Sequence, residues 1–184
     1  MVKKHNTKNF RNIIYTALFA AVICVAIMAV KFPIPGRGYY HAGDAFIYLA
    51  AVCLPLPYAM IAAAIGGALA DLFLGFHIYI LPTFVIKAAM AICFTSRTQK
   101  IICLKNIIGT VLAAIVLTGG YYTAEVAILL LTGVNNFTVA LTGAAGEIPG
   151  NIVQALSSGI IFVAVAMTMD KISLREKLFN NQLI

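Results

Sequence analysis

The stretch HAGDAFIYLAAVCLPLPYAMIAAAIGGALADLFLGFHIYILPTFVIK, His41 to Lys87, decides the fold. It is almost wholly apolar, yet it carries Asp44, Asp71, His77 and Lys87. Pro55 and Pro57 break it into a hairpin, and the turn from Gly75 to Leu81 breaks it again. Ionisable groups inside an apolar run are expensive in a bilayer, and where they occur they face a bundle interior or a water-filled cavity. The stretch reads as membrane-embedded protein folded around a polar pocket.

The rest of the chain agrees. Of 184 residues, 62% are hydrophobic and only 10% charged, with a mean hydropathy of +0.97. A soluble domain is typically about a quarter charged. A net charge of +7 would fit nucleic acid as a partner, but the cations cluster in short segments between apolar runs. That is the pattern of membrane orientation, so no nucleic acid is expected. Cys24, Cys53, Cys93 and Cys103 are scattered without a CxxC pair; they read as small packing residues rather than a disulfide or metal framework. No HExxH, GxSxG or Walker loop is present, so neither an enzyme nor a cofactor is expected. The basic N-terminus leads into a long apolar run with no small-residue cleavage site, which reads as a retained span.

Working outward, the apolar runs place spans at about 13–30, 42–55, 58–75, 81–95, 107–131 and 146–168. The expected fold is all-α: one domain over residues 1–184, an integral membrane bundle of six transmembrane helices. The second run is short, so it either begins earlier or is tilted and shielded inside the bundle. Lys31 to Gly43 (KFPIPGRGYYHAG) is too rich in proline and glycine for a regular helix, and TGVNNFTVALTG reads as a loop. Gly66 and Gly67 indicate close helix packing, and Ala17, Ala20 and Ala21 make a flat stripe where another helix can approach. Lys3, Lys4, Lys8 and Arg11 precede the first span; Arg97, Lys100 and Lys105 follow the fourth; Lys171, Arg175 and Lys177 lie in the tail. Only Lys31 and Arg37 fall in loops on the other face, which places both termini in the cytoplasm.

With that orientation the polar residues share a depth. Asp44 and Glu147 open spans from outside, and Asp71 nearly closes one toward outside. Glu125 lies roughly 9 Å below the outer end of its helix, at 1.5 Å per residue, with Lys87 at a similar depth. Asn151 and Gln154 continue inward from Glu147 on one helical face, at i+4 and i+7. These residues, with His41, Tyr121 and Tyr122, make a candidate substrate cup in the outer half. Arg37, Tyr39 and Tyr40 lie in the loop placed to cover it. Structural readings stand beside these. Asp44 and Glu147 suit helix N-termini, Lys87 is a candidate buried partner of Asp71 or Glu125, and the two tyrosines suit a membrane interface. His77 reads as structural. Glu125, well inside a helix, has no capping role.

The residues GDAFIYLAA (43–51), GGALADLFLG (66–75) and TFVIKAAMA (83–91), together with Ala17 and Ala21, six spans and cytoplasmic termini, resemble the substrate-capturing S component of energy-coupling-factor (ECF) vitamin importers. GGYYTAE (119–125) and EIPGNIVQ (147–154) look like the small S components near those for riboflavin and for pyrimidine or pyridine vitamins. The resemblance implies high-affinity capture of a water-soluble vitamin or precursor, and a multi-pass protein of the bacterial cell membrane. It also implies partnership with an ECF scaffold transmembrane subunit and two ATPase subunits, with the alanine stripe as docking face. Four carboxylates against Lys87, Arg37 and two histidines favour a neutral or protonatable heterocycle (pyrimidine, pyridine or flavin) over an anion. The alternative is a small proton-coupled secondary transporter using Glu125 and Asp71.

Overall fold

Prolines and glycines set most of the element boundaries. The computed structural model describes residues 2–34, 38–98 and 100–179. Helix α1 runs Val2–Ala29, and strands β1 (Lys31–Ile34) and β2 (Gly38–His41) follow. Helices α2 (Asp44–Cys53) and α3 (Leu56–Leu74) come next; a 3-10 turn at His77–Tyr79 then leads into α4 (Ile80–Ile92). Helices α5 (Leu104–Leu131), α6 (Phe137–Ala145), α7 (Ile148–Lys171) and α8 (Leu174–Phe179) complete the order. Pro55 caps α3 and Pro57 sits in its first turn, where the missing N–H removes no helical hydrogen bond. Gly75 closes α3 at a φ of 82°, the left-handed conformation that glycine adopts without steric cost.

Among the described residues, four stretches are long and apolar enough to cross a membrane: Lys8–Ala29, Leu56–Leu74, Leu104–Leu131 and Phe137–Lys171. Helices α2 and α4 are shorter, about 15 and 20 Å at 1.5 Å per residue, against a hydrocarbon core of about 30 Å. Every residue of α2 except Phe46 is buried, so the bundle and not lipid surrounds it. The short second run is therefore shielded inside the protein.

The proline- and glycine-rich segment after α1 forms no helix among its described residues, as expected; instead β1 and β2 pair antiparallel with Lys31 opposite His41 and Phe32 opposite Tyr40. One expectation needs correcting. The 132–146 segment contains α6, because the Asn136 side chain accepts the Thr138 and Val139 N–H groups and caps it. The first helix extends N-terminally beyond its apolar run, since basic residues extend a helix as readily as apolar ones.

Helix α3 packs on α1 and α4, while α2 lies against α3, α7, α1 and α4. A Cβ on Gly66 would stand 2.7 Å from the Ala20 carbonyl oxygen, so the α1–α3 crossing needs glycine there. Away from the hairpin, Tyr48 stacks on Phe94 and both meet Phe162 edge to face, at centroid separations of 4.7–5.8 Å. The Asp170 carboxylate accepts the Ile101 and Ile102 N–H groups at 2.9 Å, fastening the loop before α5 to the end of α7.

Candidate functional site

The ends of α1, α3 and α5 and the beginnings of α2, α4 and α7 meet at one end of the bundle, with the β-hairpin beside them. There a cavity opens, about 580 Å³ of non-protein space with its mouth included.

A buried polar network lies beside this cavity. Lys87 of α4 donates to Asp44 of α2 at 2.6 Å, and both side chains are 0% exposed. Gln154 of α7 donates through Nε2 to the other Asp44 oxygen at 2.8 Å, while its Oε1 accepts the His41 backbone N–H at 3.3 Å. Two charges taken from water need each other and further hydrogen bonds to stay ionised; Asp44 has both. The partner of Lys87 is thus Asp44, not Asp71 or Glu125. Asp44 is the residue that α2 inserts between α4 and α7. Neither Asp44 nor Lys87 is among the residues lining the cavity.

His41 closes this network toward the hairpin. It is 5% exposed, and burial pushes its imidazole down to about 3, Asp44 opposing and Lys87 adding to the shift. The ring is therefore neutral at neutral pH. Its Nδ1 accepts the Gly43 N–H at 3.2 Å, and its Nε2 lies 3.4 Å from the Gln154 amide nitrogen.

Around the cavity, carboxylates and tyrosines pair. Tyr39 donates to Asp71 at 2.6 Å, Tyr79 donates to Glu125 at 2.6 Å, and Tyr40 donates to Glu147 at 3.4 Å. Burial, then the negative charge of Asp71, pushes the Tyr39 phenol well above its ordinary value, so it remains a donor. Tyr121 shares a 2.9 Å hydrogen bond with Thr83, and the Lys87 ammonium lies 5.4 Å from its ring centroid. Asp71 and Asn151 are only 4% and 5% exposed, yet Asp71 Oδ2 and Asn151 Nδ2 have no hydrogen-bond partner among the described residues. Buried polar atoms left in this state are uncommon, and a missing ligand or water is a usual reason.

Of the sequence candidates, His41, Asp71, Tyr121, Glu125, Glu147, Asn151 and Gln154 line the cavity, as do Tyr39 and Tyr40 of the covering segment. Tyr122 does not: it packs against α6, with its hydroxyl toward the Leu141 carbonyl. Arg37 lies outside the described residues. His77 is exposed and away from the lining. In the alanine stripe, Ala17 and Ala21 are exposed, whereas Ala20 is turned inward against α3 and is not on the outer face. Sequence reading missed Phe76, Tyr79 and Thr83 in the wall. Tyr79 sits in the turn that re-enters the bundle, a place where a tyrosine beside buried carboxylates is a signal.

Comparison with known proteins gives one consistent result. The sequence model of the family described as ECF-type riboflavin transporter, S component, matches residues 7–171. A protein of Pyrococcus woesei, named only as an uncharacterized protein in a gap 3' region, is 34% identical over 143 residues, which is 76% of this chain and 88% of the relative. A solved structure described as the S component of a bacterial ECF transporter superposes with a TM-score of 0.67 at 20% identity. It covers 91% of this chain and 98% of that one, so the two share a fold.

Proposed function

The chain belongs to the family of ECF-type riboflavin transporter S components, and on that premise we propose that it captures a water-soluble vitamin or vitamin precursor from outside the cell, at high affinity, for an ATP-driven importer. S components are substrate-binding transporter subunits and not enzymes. The cargo is proposed as a neutral or protonatable heterocycle of pyrimidine, pyridine or flavin type. The ligand is held by the cavity residues His41, Asp71, Tyr121, Glu125, Glu147, Asn151 and Gln154, with Tyr39 and Tyr40 over them. The carrying observation is that cavity: it is walled by aromatic rings and buried hydrogen-bonding groups, and among the described residues Asp71 Oδ2 and Asn151 Nδ2 have no partner.

The proposed topology has six spans in one domain with both termini cytoplasmic, in a multi-pass cell-membrane protein. Its support is charge placement: Lys8, Arg11, Arg97, Lys100, Lys105, Lys171 and Lys177 all lie toward the end of the bundle away from the cavity. The partners are an ECF scaffold transmembrane subunit and two ATPases, with Ala17 and Ala21 as the proposed docking stripe. Those alanines stand among exposed Ile13, Ile14, Leu18 and Val25, an apolar surface that a partner helix can cover.

A thermal-shift screen of the detergent-solubilised protein against water-soluble vitamins and precursors tests the reading. A ligand at a hundred times its dissociation constant stabilises the fold by about 2.7 kcal/mol. One clear hit, lost in a still-folded Glu125→Ala variant, supports capture. The second reading, a proton-coupled carrier, draws on the deep burial of Asp71 and Glu125; it predicts no vitamin hit in this screen and transport by the chain alone, driven by a proton gradient.

A further inference from the structure

We propose that Asn151 and Asp71 are the specificity-determining pair of this cavity, and that the ligand is a flat heterocycle whose rim carries a hydrogen-bond acceptor for Asn151 and a donor for Asp71. The inference rests on the capture reading and narrows its substrate class. The starting point is which polar groups the fold already uses. Gln154 has both ends of its amide engaged, Nε2 on Asp44 at 2.8 Å and Oε1 on the His41 N–H at 3.3 Å. The Tyr79 hydroxyl donates to Glu125 at 2.6 Å, and the Tyr121 hydroxyl shares a hydrogen bond with Thr83 at 2.9 Å. These groups shape the wall and are held by the protein itself.

Asn151 is different. It stands one turn before Gln154 on α7 and also lines the cavity, yet it is only 5% exposed. Among the described residues its Nδ2 has no hydrogen-bond partner. The same holds for Oδ2 of Asp71 on α3, a residue 4% exposed. The other Asp71 oxygen accepts the Tyr39 hydroxyl at 2.6 Å, so the carboxylate is fixed in place with one edge unused. Thr83 also stands close to Asp71, but its hydroxyl is in hydrogen-bond geometry with Tyr121 and not with Oδ2. A buried donor or acceptor left unmade costs a fold the desolvation of that group with no compensating bond. Such atoms are uncommon in native proteins, and a binding role is one of the usual reasons for them. An amide N–H donates and a carboxylate oxygen accepts, so the ligand supplies the converse at each place. The rings of Tyr39, Tyr40, Phe76 and Tyr121 line the same cavity and favour a flat partner. A site built this way rejects an analogue lacking the matching group far more strongly than an apolar pocket does, because its own buried atoms are then left unpaired.

Two measurements test the pair. The first needs no ligand: thermal unfolding of the purified, detergent-solubilised chain and its variants. Asn151→Leu (with Asn151→Ala as a smaller alternative) and Asp71→Asn change groups that the fold itself does not pair. At least one Asn151 variant, and Asp71→Asn, therefore melt no more than about 2 °C below wild type, whereas Gln154→Leu, which strips Asp44 and His41 of a partner, melts lower than that. A larger fall in both Asn151 variants, or in Asp71→Asn, assigns that residue to the scaffold and overturns the pair. The second is isothermal titration with pyridoxine, hydroxymethylpyrimidine and riboflavin. Each is compared with the derivative in which methyl groups replace the hydrogens of its ring or ring-attached N–H or O–H. The tightest binder loses affinity roughly 10- to 100-fold on methylation, and by a similar factor in the folded Asn151 variant and in Asp71→Asn. Thr123→Ala, on the exposed side of α5, leaves it unchanged. Wild-type affinity in either variant, or no loss on methylation, overturns the pair and leaves the capture subunit standing. Binding by none of the probes overturns the capture reading for this class of cargo, and the pair's role with it.

Discussion

Replacing Lys87 with methionine keeps an unbranched chain one atom shorter and removes its charge. In the native fold the Lys87 ammonium is 2.6 Å from Asp44, and both side chains are fully buried. The variant leaves Asp44 with the Gln154 amide and no cation. Breaking a buried pair from one side costs about 3–5 kcal/mol, because the surviving charge stays buried. For a domain of this size, at roughly 2–4 °C per kcal/mol, the melting temperature falls by on the order of 10 °C. The double variant Lys87→Met, Asp44→Asn removes both charges and keeps an acceptor for Gln154. It recovers most of the loss, since a neutral replacement of a buried pair is often no worse than the pair. The assay is thermal unfolding in detergent with gel filtration to confirm a monodisperse sample, run as a double-mutant cycle. A single variant that melts within about 2 °C of wild type, or a double variant as damaged as the sum of the singles, refutes the assignment.

Three further outcomes follow from packing and titration. Gly66→Ala places a methyl group 2.7 Å from the Ala20 carbonyl and lowers stability by about 1–3 kcal/mol, whereas Gly119→Ala, with nothing within 4 Å, costs nothing; equal melts for the two contradict the α1–α3 packing. In Gly150→Ala the new Cβ overlaps the Tyr40 ring; because that ring can swing away, ligand affinity falls about tenfold while the melt moves by less than about 1 kcal/mol. An unchanged titration isotherm argues against Tyr40 as a cover. His41 is the third case. Its imidazole titrates at about 3 in the fold against 6.5 ordinarily, so between these values the unfolded chain holds the extra proton. Stability therefore falls as pH drops through that window, by up to about 1.4 kcal/mol per pH unit. His41→Gln removes this component, and melts with the same pH slope in both proteins would count against the buried neutral ring.

Much of the scaffold was legible because it depends on local chemistry. Apolar length located α1, α3, α5 and α7, Pro55 and Gly75 marked the ends of α3, and Gly66 announced a close crossing. The hairpin was not legible: Pro33, Pro35 and Gly36 argue against regular structure locally, and the pairing of Lys31 with His41 is a register that only tertiary contact sets. Asn136 before an apolar run was a readable cap, but the surrounding glycine and asparagines outweighed it. At the site, helical depth brought Asp71, Glu125 and Glu147 to one level without saying which tyrosine each of them meets. Lys87 found Asp44 because α2 is buried between its neighbours, a fact of packing and not of sequence spacing. Tyr79 and Glu125 lie 46 positions apart, so nothing along the chain pairs them.

Capture on behalf of an energised partner is read most directly by uptake. Radiolabelled ligand from the vitamin screen is offered to cells or proteoliposomes holding this chain alone, or this chain with an ECF scaffold and its two ATPases. The expected outcome is binding by the chain alone and accumulation only with the scaffold and ATP. Replacing Ala17 and Ala21 with bulky residues then abolishes accumulation but not binding. Accumulation by the chain alone, driven by a proton gradient and abolished by Glu125→Gln, would contradict the capture mechanism.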